Sequence, residues 1–192
     1  MKKGFTIVEV SILFIIFLIV AFLVVPLSLD DTKQAKNISR WISAQQEFEN
    51  MYNTVIINNY TSYTGLKDNI EYLLTTDDTE FIDEYKISFM DGTEVRGLYH
   101  FDDYKLTKAN AVFAIKLLKE SNNNQIGILM YDVNAKDAPN TWGKDVFGFN
   151  IYKNRLEPFG KDKTFIEQKS DCSKEGLGIY CSNYYLIGGK FD

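Results

Sequence analysis

The densest gathering of groups that could do chemistry lies in "YDVNAKDAPNTWGKDVFGFNI", which holds Asp132, Asn134, Asp137, Asn140 and Asp145. All five offer hard oxygens of the kind calcium takes, and the proline and glycine between them supply turns. The spacing departs from the EF-hand loop. Asp132 and Asn134 suit its first two ligand positions, but its required glycine and closing glutamate are missing. Asp132, Asn134 and Asp145 are the candidate ligands and calcium the candidate ion. The competing reading is a polar loop held by Asx turns over a buried Trp142.

Other reactive side chains make no catalytic constellation. The single histidine, His100, stands in "LYHFDDY", and no nucleophile, base and orienting acid assemble around it; Asp102 and Asp103 read as a solvated loop. "TTDDTEFIDEY" offers Asp77, Asp78, Glu80, Asp83 and Glu84 to a paired-carboxylate hydrolase, but acids packed so densely usually face water. The chain is therefore not expected to be an enzyme. Its formal charge, 21 − 26 = −5, and the lack of any block of like charges exclude a dedicated nucleic-acid surface. Cys172 and Cys181, the only cysteines, close a short loop in "DCSKEGLGIYC"; the CxxC spacing of a metal pair is absent, and a disulfide is expected if the domain is exported.

The elements that must position these groups begin with "MKKGFTIVEVSILFIIFLIVAFLVVP". From Phe5 to Leu29 a helix would run roughly 37 Å, enough for a hydrocarbon core of about 30 Å. Lys2 and Lys3 ahead of the run, and Asp30 and Asp31 behind it, orient its amino terminus to the cytoplasm. No small-residue cleavage site follows the run, so the segment is expected to be retained as an anchor. One acid, Glu9, is set near its start, and on insertion scales an acid at mid-bilayer costs roughly 2.5–3.5 kcal/mol. Helical spacing continues through Ala35, Ile38, Trp41, Ile42, Gln45, Phe48, Tyr52 and Val55, so one long helix, amphipathic in its second part, is expected to about Ile57. Pro26 lacks a backbone donor and is the place for a bend or local melting.

"KKG" followed by "FTIVEV" resembles the leader and cleavage site of type IV pilins and of the pseudopilins of type II secretion. "VEV" stands where "IEL" is commoner, which alters a packing side chain and keeps the acid in register. The resemblance covers about the first 55 residues. It implies a leader over residues 1–4, cleavage by a prepilin peptidase between Gly4 and Phe5, N-methylation of Phe5, and a helix-breaking role for Pro26. It further implies that Glu9 of an entering subunit meets the Phe5 amine of a neighbour, so that two charges in a dry bundle neutralise each other and select the axial step. The expected partners are other pilin or pseudopilin subunits, the peptidase, an inner-membrane assembly platform and the membrane itself. The precursor would be a single-pass protein of the cytoplasmic membrane, later part of a periplasmic or surface filament. Major pseudopilins hold calcium in a loop near their sheet, and many pilins carry a disulfide near the carboxyl end. The rival reading is a membrane-anchored extracytoplasmic binding module that does not polymerise.

The remaining chain, 58–192, reads as one α+β domain. "TGLKDNIEYLLTTDDTEFIDEYK" suggests a linker and a short helix with Ile70, Leu73 and Leu74 on one face. "KISFM" and "VRGLYHF" flank "DGT", a hairpin signal. "AVFAIKLLK" and "IGILMYDV" flank the polar "ESNNNQ" as a second antiparallel pair, and "DVFGFNIYK" meets "RLEPFG" across Asn154 as a third. Phe147, Phe149 and Ile151 form the bulkier face of that last pair and are the expected core. The domains expected are thus a leader (1–4), a membrane or filament-core helix (5–29), its amphipathic continuation (30–57) packed on a twisted antiparallel sheet, and the extracytoplasmic domain (58–192). The aromatics Tyr180, Tyr184, Tyr185 and Phe191 are expected to close the core beside the disulfide rather than to face a partner.

Overall fold

The computed structural model describes residues 7–57, 82, 85–107, 110–118, 124–135 and 137–191, the side chains of 21–30 and 55–57 excepted. Gly4 and Phe5, the short helix expected around Ile70, Leu73 and Leu74, and the acids Asp77, Asp78, Glu80, Asp83 and Glu84 lie outside the described residues. The described residues fall into two compact units divided between Lys36 and Asn37.

Helix α1 runs from Ile7 to Ile57 and is continuous through Pro26. In the first unit its apolar side chains face outward on every side, from Ile7 at 86% exposed to Val20 at 52%. Among the described residues no helix is long and apolar enough to cross a membrane. The expected span, 5–29, includes positions outside those residues.

The second unit is α+β. Strands β1 (Lys105–Leu106), β2 (Val112–Leu117), β3 (Gln125–Asp132), β4 (Val146–Tyr152) and β5 (Leu156–Pro158) form one antiparallel sheet in sequence order. Two of the expected pairs are present, β2 with β3 and β4 with β5, and β3 pairs with β4 as well. The "DGT" turn also forms: Gly92 adopts φ 85°, Asp91 Oδ1 accepts from the Thr93 amide at 2.8 Å, and Phe89 N donates to Thr93 O at 2.8 Å. Its flanks do not become strands. They meet in a single bridge, Ser88 to Glu94, and "VRGLYHF" turns into a short 3-10 helix, Gly97–Tyr99.

The physical reason lies on the far face of the sheet. An antiparallel sheet alternates its side chains, so Leu129, Tyr131, Phe147, Phe149 and Ile151 point one way while Val112, Ala114, Ile128, Met130 and Val146 point the other. The first set packs on α1 through Trp41, Ala44, Phe48 and Tyr52. The second set would face water, and Ile87, Phe89, Val95, Phe101, Tyr104, Trp142 and Phe159 cover it instead. Both faces are buried, whereas the amino-acid pattern suggested one. On α1 the buried stripe centres on Trp41 to Tyr52, leaving Ile42 38% exposed and Ala35 in solvent.

The carboxyl end locks the helix side. Cys172 and Cys181 are joined in a disulfide between α2 (Phe165–Asp171) and the one-turn α3 (Cys181–Tyr184). Helix α2 starts with a capping box in which the Thr164 hydroxyl accepts from Glu167 N and the Glu167 carboxylate from Thr164 N. Ser182, next to the disulfide, accepts Gly148 N on its Oγ at 3.0 Å and the Trp41 indole N–H on its carbonyl at 2.8 Å. Gly148 is needed there because a Cβ would stand 2.5 Å from the Phe159 ring and 2.7 Å from Leu129 O. Tyr184 and Tyr185 are buried in the same core.

Candidate functional site

The loop rich in oxygen ligands connects β3 to β4, and its two ends are held together because Asp132 pairs with Val146 across the sheet. That pairing puts Asp132, the last residue of β3, beside Asp145, the residue before β4. Both side chains are fully buried. Two ionised carboxylates in such a place repel each other and lose their water, so each must be neutralised, screened or matched by a cation.

Screening comes mainly from the loop itself. Asp132 Oδ1 accepts from Asn134 N at 2.9 Å, an Asx turn, and its Oδ2 accepts from the Tyr85 hydroxyl, which also lies 3.0 Å from Ala135 O. Asp145 Oδ1 accepts from Thr141 N at 2.6 Å, and its Oδ2 from Asn140 N at 3.0 Å and Asn134 Nδ2 at 3.3 Å. Asn134 Nδ2 reaches Asp137 O at 3.0 Å too. Ala135 (φ 61°) and Asn140 (φ 46°) adopt left-handed backbone to bring these amides inward.

The donors do not fully offset burial. Asp132 is pushed up to about 8, first by desolvation and then by the neighbouring Asp145 charge, against the opposing hydrogen bonds from Tyr85 and Asn134. Asp145 rises to about 6 through desolvation, opposed by the amides of Thr141 and Asn140. The Tyr85 phenol is raised far above its ordinary value by burial and by Asp132.

Two further oxygens test whether the residues suit a metal. Asn134 Oδ1 and Asn140 Oδ1 are buried and have no hydrogen-bond partner. A buried acceptor without a donor costs about 1–3 kcal/mol, and a cation would remove that cost. The carboxylates of Asp132 and Asp145 and the amide oxygens of Asn134 and Asn140 are hard-oxygen donors of the kind calcium selects, carried on one loop. Asp137 is exposed, and among the described residues no three His, Cys, Asp or Glu side chains gather as a metal-binding group. The donor set is therefore acid-poor, and carbonyls or water would have to complete a shell of 6–8 oxygens.

The other candidates stand apart from this loop. His100 lies 3.8 Å from Asp102 in an exposed pair. Trp142 is fully buried between the rings of Tyr99 and Phe159, and its backbone N–H donates to Ser88 O at 3.0 Å. Tyr85 and Thr141 are parts of the site that sequence reasoning missed. Tyr85 is 47 residues from the carboxylate it binds, and no local pattern marks it. Comparison with protein-family models, with curated proteins and with solved structures finds no match for this chain.

Proposed function

We propose that the chain is a pilin-like structural subunit, cut after Gly4 and assembled through α1 into a helical filament of the type IV pilus or type II secretion kind. The observation that carries this reading is α1 itself. Behind "KKGFTIVEV" it presents large apolar side chains outward from Ile7 to Val20, while its later turns bury Trp41, Phe48 and Tyr52 against an antiparallel sheet. Such a helix suits storage in a membrane and then packing among identical helices, where apolar side chains exchange lipid for one another. In this reading Glu9 sets the axial register by meeting the Phe5 amine of a neighbouring subunit. Prepilin peptidase and an inner-membrane platform are the partners, and the sheet domain is extracytoplasmic.

Glu9→Leu should be processed normally yet enter filaments poorly. Equal incorporation of variant and wild type would remove the register role, and an intact Met1 on the native protein by mass spectrometry would sink the whole reading. Crosslinking along the first turns of α1 separates it from an anchored binding module, because helix-to-helix ladders need a polymer.

A second reading is favoured by the orphaned oxygens of Asn134 and Asn140: the β3–β4 loop holds calcium. Calcium at a hundredfold excess over its dissociation constant should stabilise the fold by about 2.7 kcal/mol. For a chain of this size that raises Tm by roughly 5–10 °C. Differential scanning calorimetry of EDTA-treated protein with and without calcium measures it, with magnesium as the control; an unchanged Tm would rule the ion out.

A further inference from the structure

Cys181 opens α3, a single turn, and a helix of that length has no stability of its own. It is tethered by the bond to Cys172 at the carboxyl end of α2. Two hydrogen bonds run beside that tether, Tyr180 N to Asp171 Oδ2 at 2.7 Å and Asn183 Nδ2 to Gln168 Oε1 at 3.1 Å, and each contributes less than closing the loop covalently does. Ser182 follows Cys181 directly, and its carbonyl is the acceptor of the Trp41 indole N–H. The disulfide therefore holds the anchor to which the docked half of α1 is tied. Both cysteines are buried, and a Cβ at Gly143 would stand 2.6 Å from Cys181 Sγ, so main chain lies directly on the sulfur. The Tyr185 hydroxyl pins that main chain by donating to Gly143 O at 3.1 Å. The ladders that join β2, β3, β4 and β5, in contrast, contain no residue of the disulfide segment.

We propose that the Cys172–Cys181 bond is a redox latch on α1: oxidised, it seats the helix on the sheet, and reduced, it lets the helix leave while the sheet keeps its pairing. The exchange balances with a dithiol as reductant. The dithiol gives up two electrons and two protons to become a disulfide, and Cys172 and Cys181 return as thiols. With the bond open, α3 loses its tether and Ser182 no longer meets Trp41. The buried stripe of Trp41, Ala44, Phe48 and Tyr52 then loses its hold at the Trp41 end. Such a latch closes in an oxidising compartment and stays open where thiols are kept reduced. It operates on the single chain and does not depend on polymerisation.

Two measurements on the full chain in detergent micelles test this. In a Trp142→Phe background Trp41 is the only tryptophan. Reduction with dithiothreitol should move its emission to the red and raise its quenching by acrylamide several-fold, while the amides of β2, β3 and β4 stay protected from hydrogen exchange. The second measurement uses linkage: whatever the bond does for the seat of Trp41, the seat of Trp41 does for the bond. In a dithiothreitol redox buffer, Trp41→Phe should lower the ratio of reduced to oxidised reagent needed for half-reduction by about tenfold, because its cost falls on the oxidised state alone. Ile128→Val, in the middle of β3 on the far face, weakens both states alike and should leave that ratio unchanged.

A Trp41 that stays shielded after reduction, or a Trp41→Phe variant that reduces like wild type, overturns the latch, because the helix is then docked alike in both states. Loss of sheet protection on reduction, or a shift for Ile128→Val as large as for Trp41→Phe, overturns it too, because the bond then staples the whole domain. The redox titration needs no Trp142→Phe background, so it decides the matter should that variant fail to fold.

Discussion

Trp41→Ala should cost about 3–5 kcal/mol of stability, the range for deleting a buried tryptophan. In a chain of this length the loss corresponds to a fall in Tm on the order of 10 °C. Trp41 is fully buried, its ring centroid lies 4.9 Å from those of both Phe147 and Phe149, and its indole N–H donates to Ser182 O at 2.8 Å. One side chain thus ties the helix to the middle of β4 and to the segment beside the disulfide. The substitution removes ring stacking and leaves the Ser182 carbonyl short of a donor, so relaxation around the cavity cannot recover the loss. Trp41→Phe keeps most of the stacking and should cost only the hydrogen bond and a smaller cavity, about 1–2 kcal/mol. Urea denaturation of the three proteins checks this. Equal midpoints for wild type and Trp41→Ala would mean that the helix is not docked as described.

Without divalent cation, stability should fall as pH rises from about 4 to about 8. The folded-state value of Asp132 is raised from 3.8 to about 8 and that of Asp145 from 3.8 to about 6. Between those limits the folded chain holds a proton that the unfolded chain releases, so folding takes up protons and the slope of stability against pH is negative. The contribution is fully present below the unfolded value and is lost as pH climbs through the folded ones, over 3.8 to 6 for Asp145 and on to about 8 for Asp132. An order-of-magnitude size is a few kcal/mol. Urea midpoints in EDTA at pH 5 and pH 8 measure it, and Asp132→Asn, which can still accept from Tyr85 and cannot ionise, should flatten the curve. A flat wild-type curve would contradict the burial of the pair. Calcium should restore stability at the upper end, because metal ligands must be deprotonated.

Much of the sheet was legible because its neighbours in space are neighbours in the chain. "AVFAIKLLK" and "IGILMYDV" alternate around a polar turn, and β4 and β5 do so around Asn154; each pair needs only local information. The "DGT" hairpin misled. Its turn is local and forms, but whether Phe89 and Val95 lie in strands or spread over Ile128 and Met130 depends on an uncovered sheet face far away in sequence. The helical stripe was readable at its centre, Trp41, Phe48 and Tyr52, but spacing also admits Ala35 and Ile42, which face outward, and omits Ala44, which docking buries. Thr164-x-x-Glu167 stands in the sequence as a capping-box signature and was readable in principle.

Short-range patterning carries the composition of the loop, the disposition of apolar residues along α1, and the strands whose partners lie one turn away, so these could be read from the order of residues alone. It named Asp132, Asn134 and Asp145 as one group. Folding adds that Asp132 and Asp145 are buried together, that Tyr85 crosses 47 residues to hold one of them, and that the oxygens of Asn134 and Asn140 are left without donors. Burial and long-range pairing are properties of the assembled core. They set the energy of a charge far more than its neighbours in sequence do.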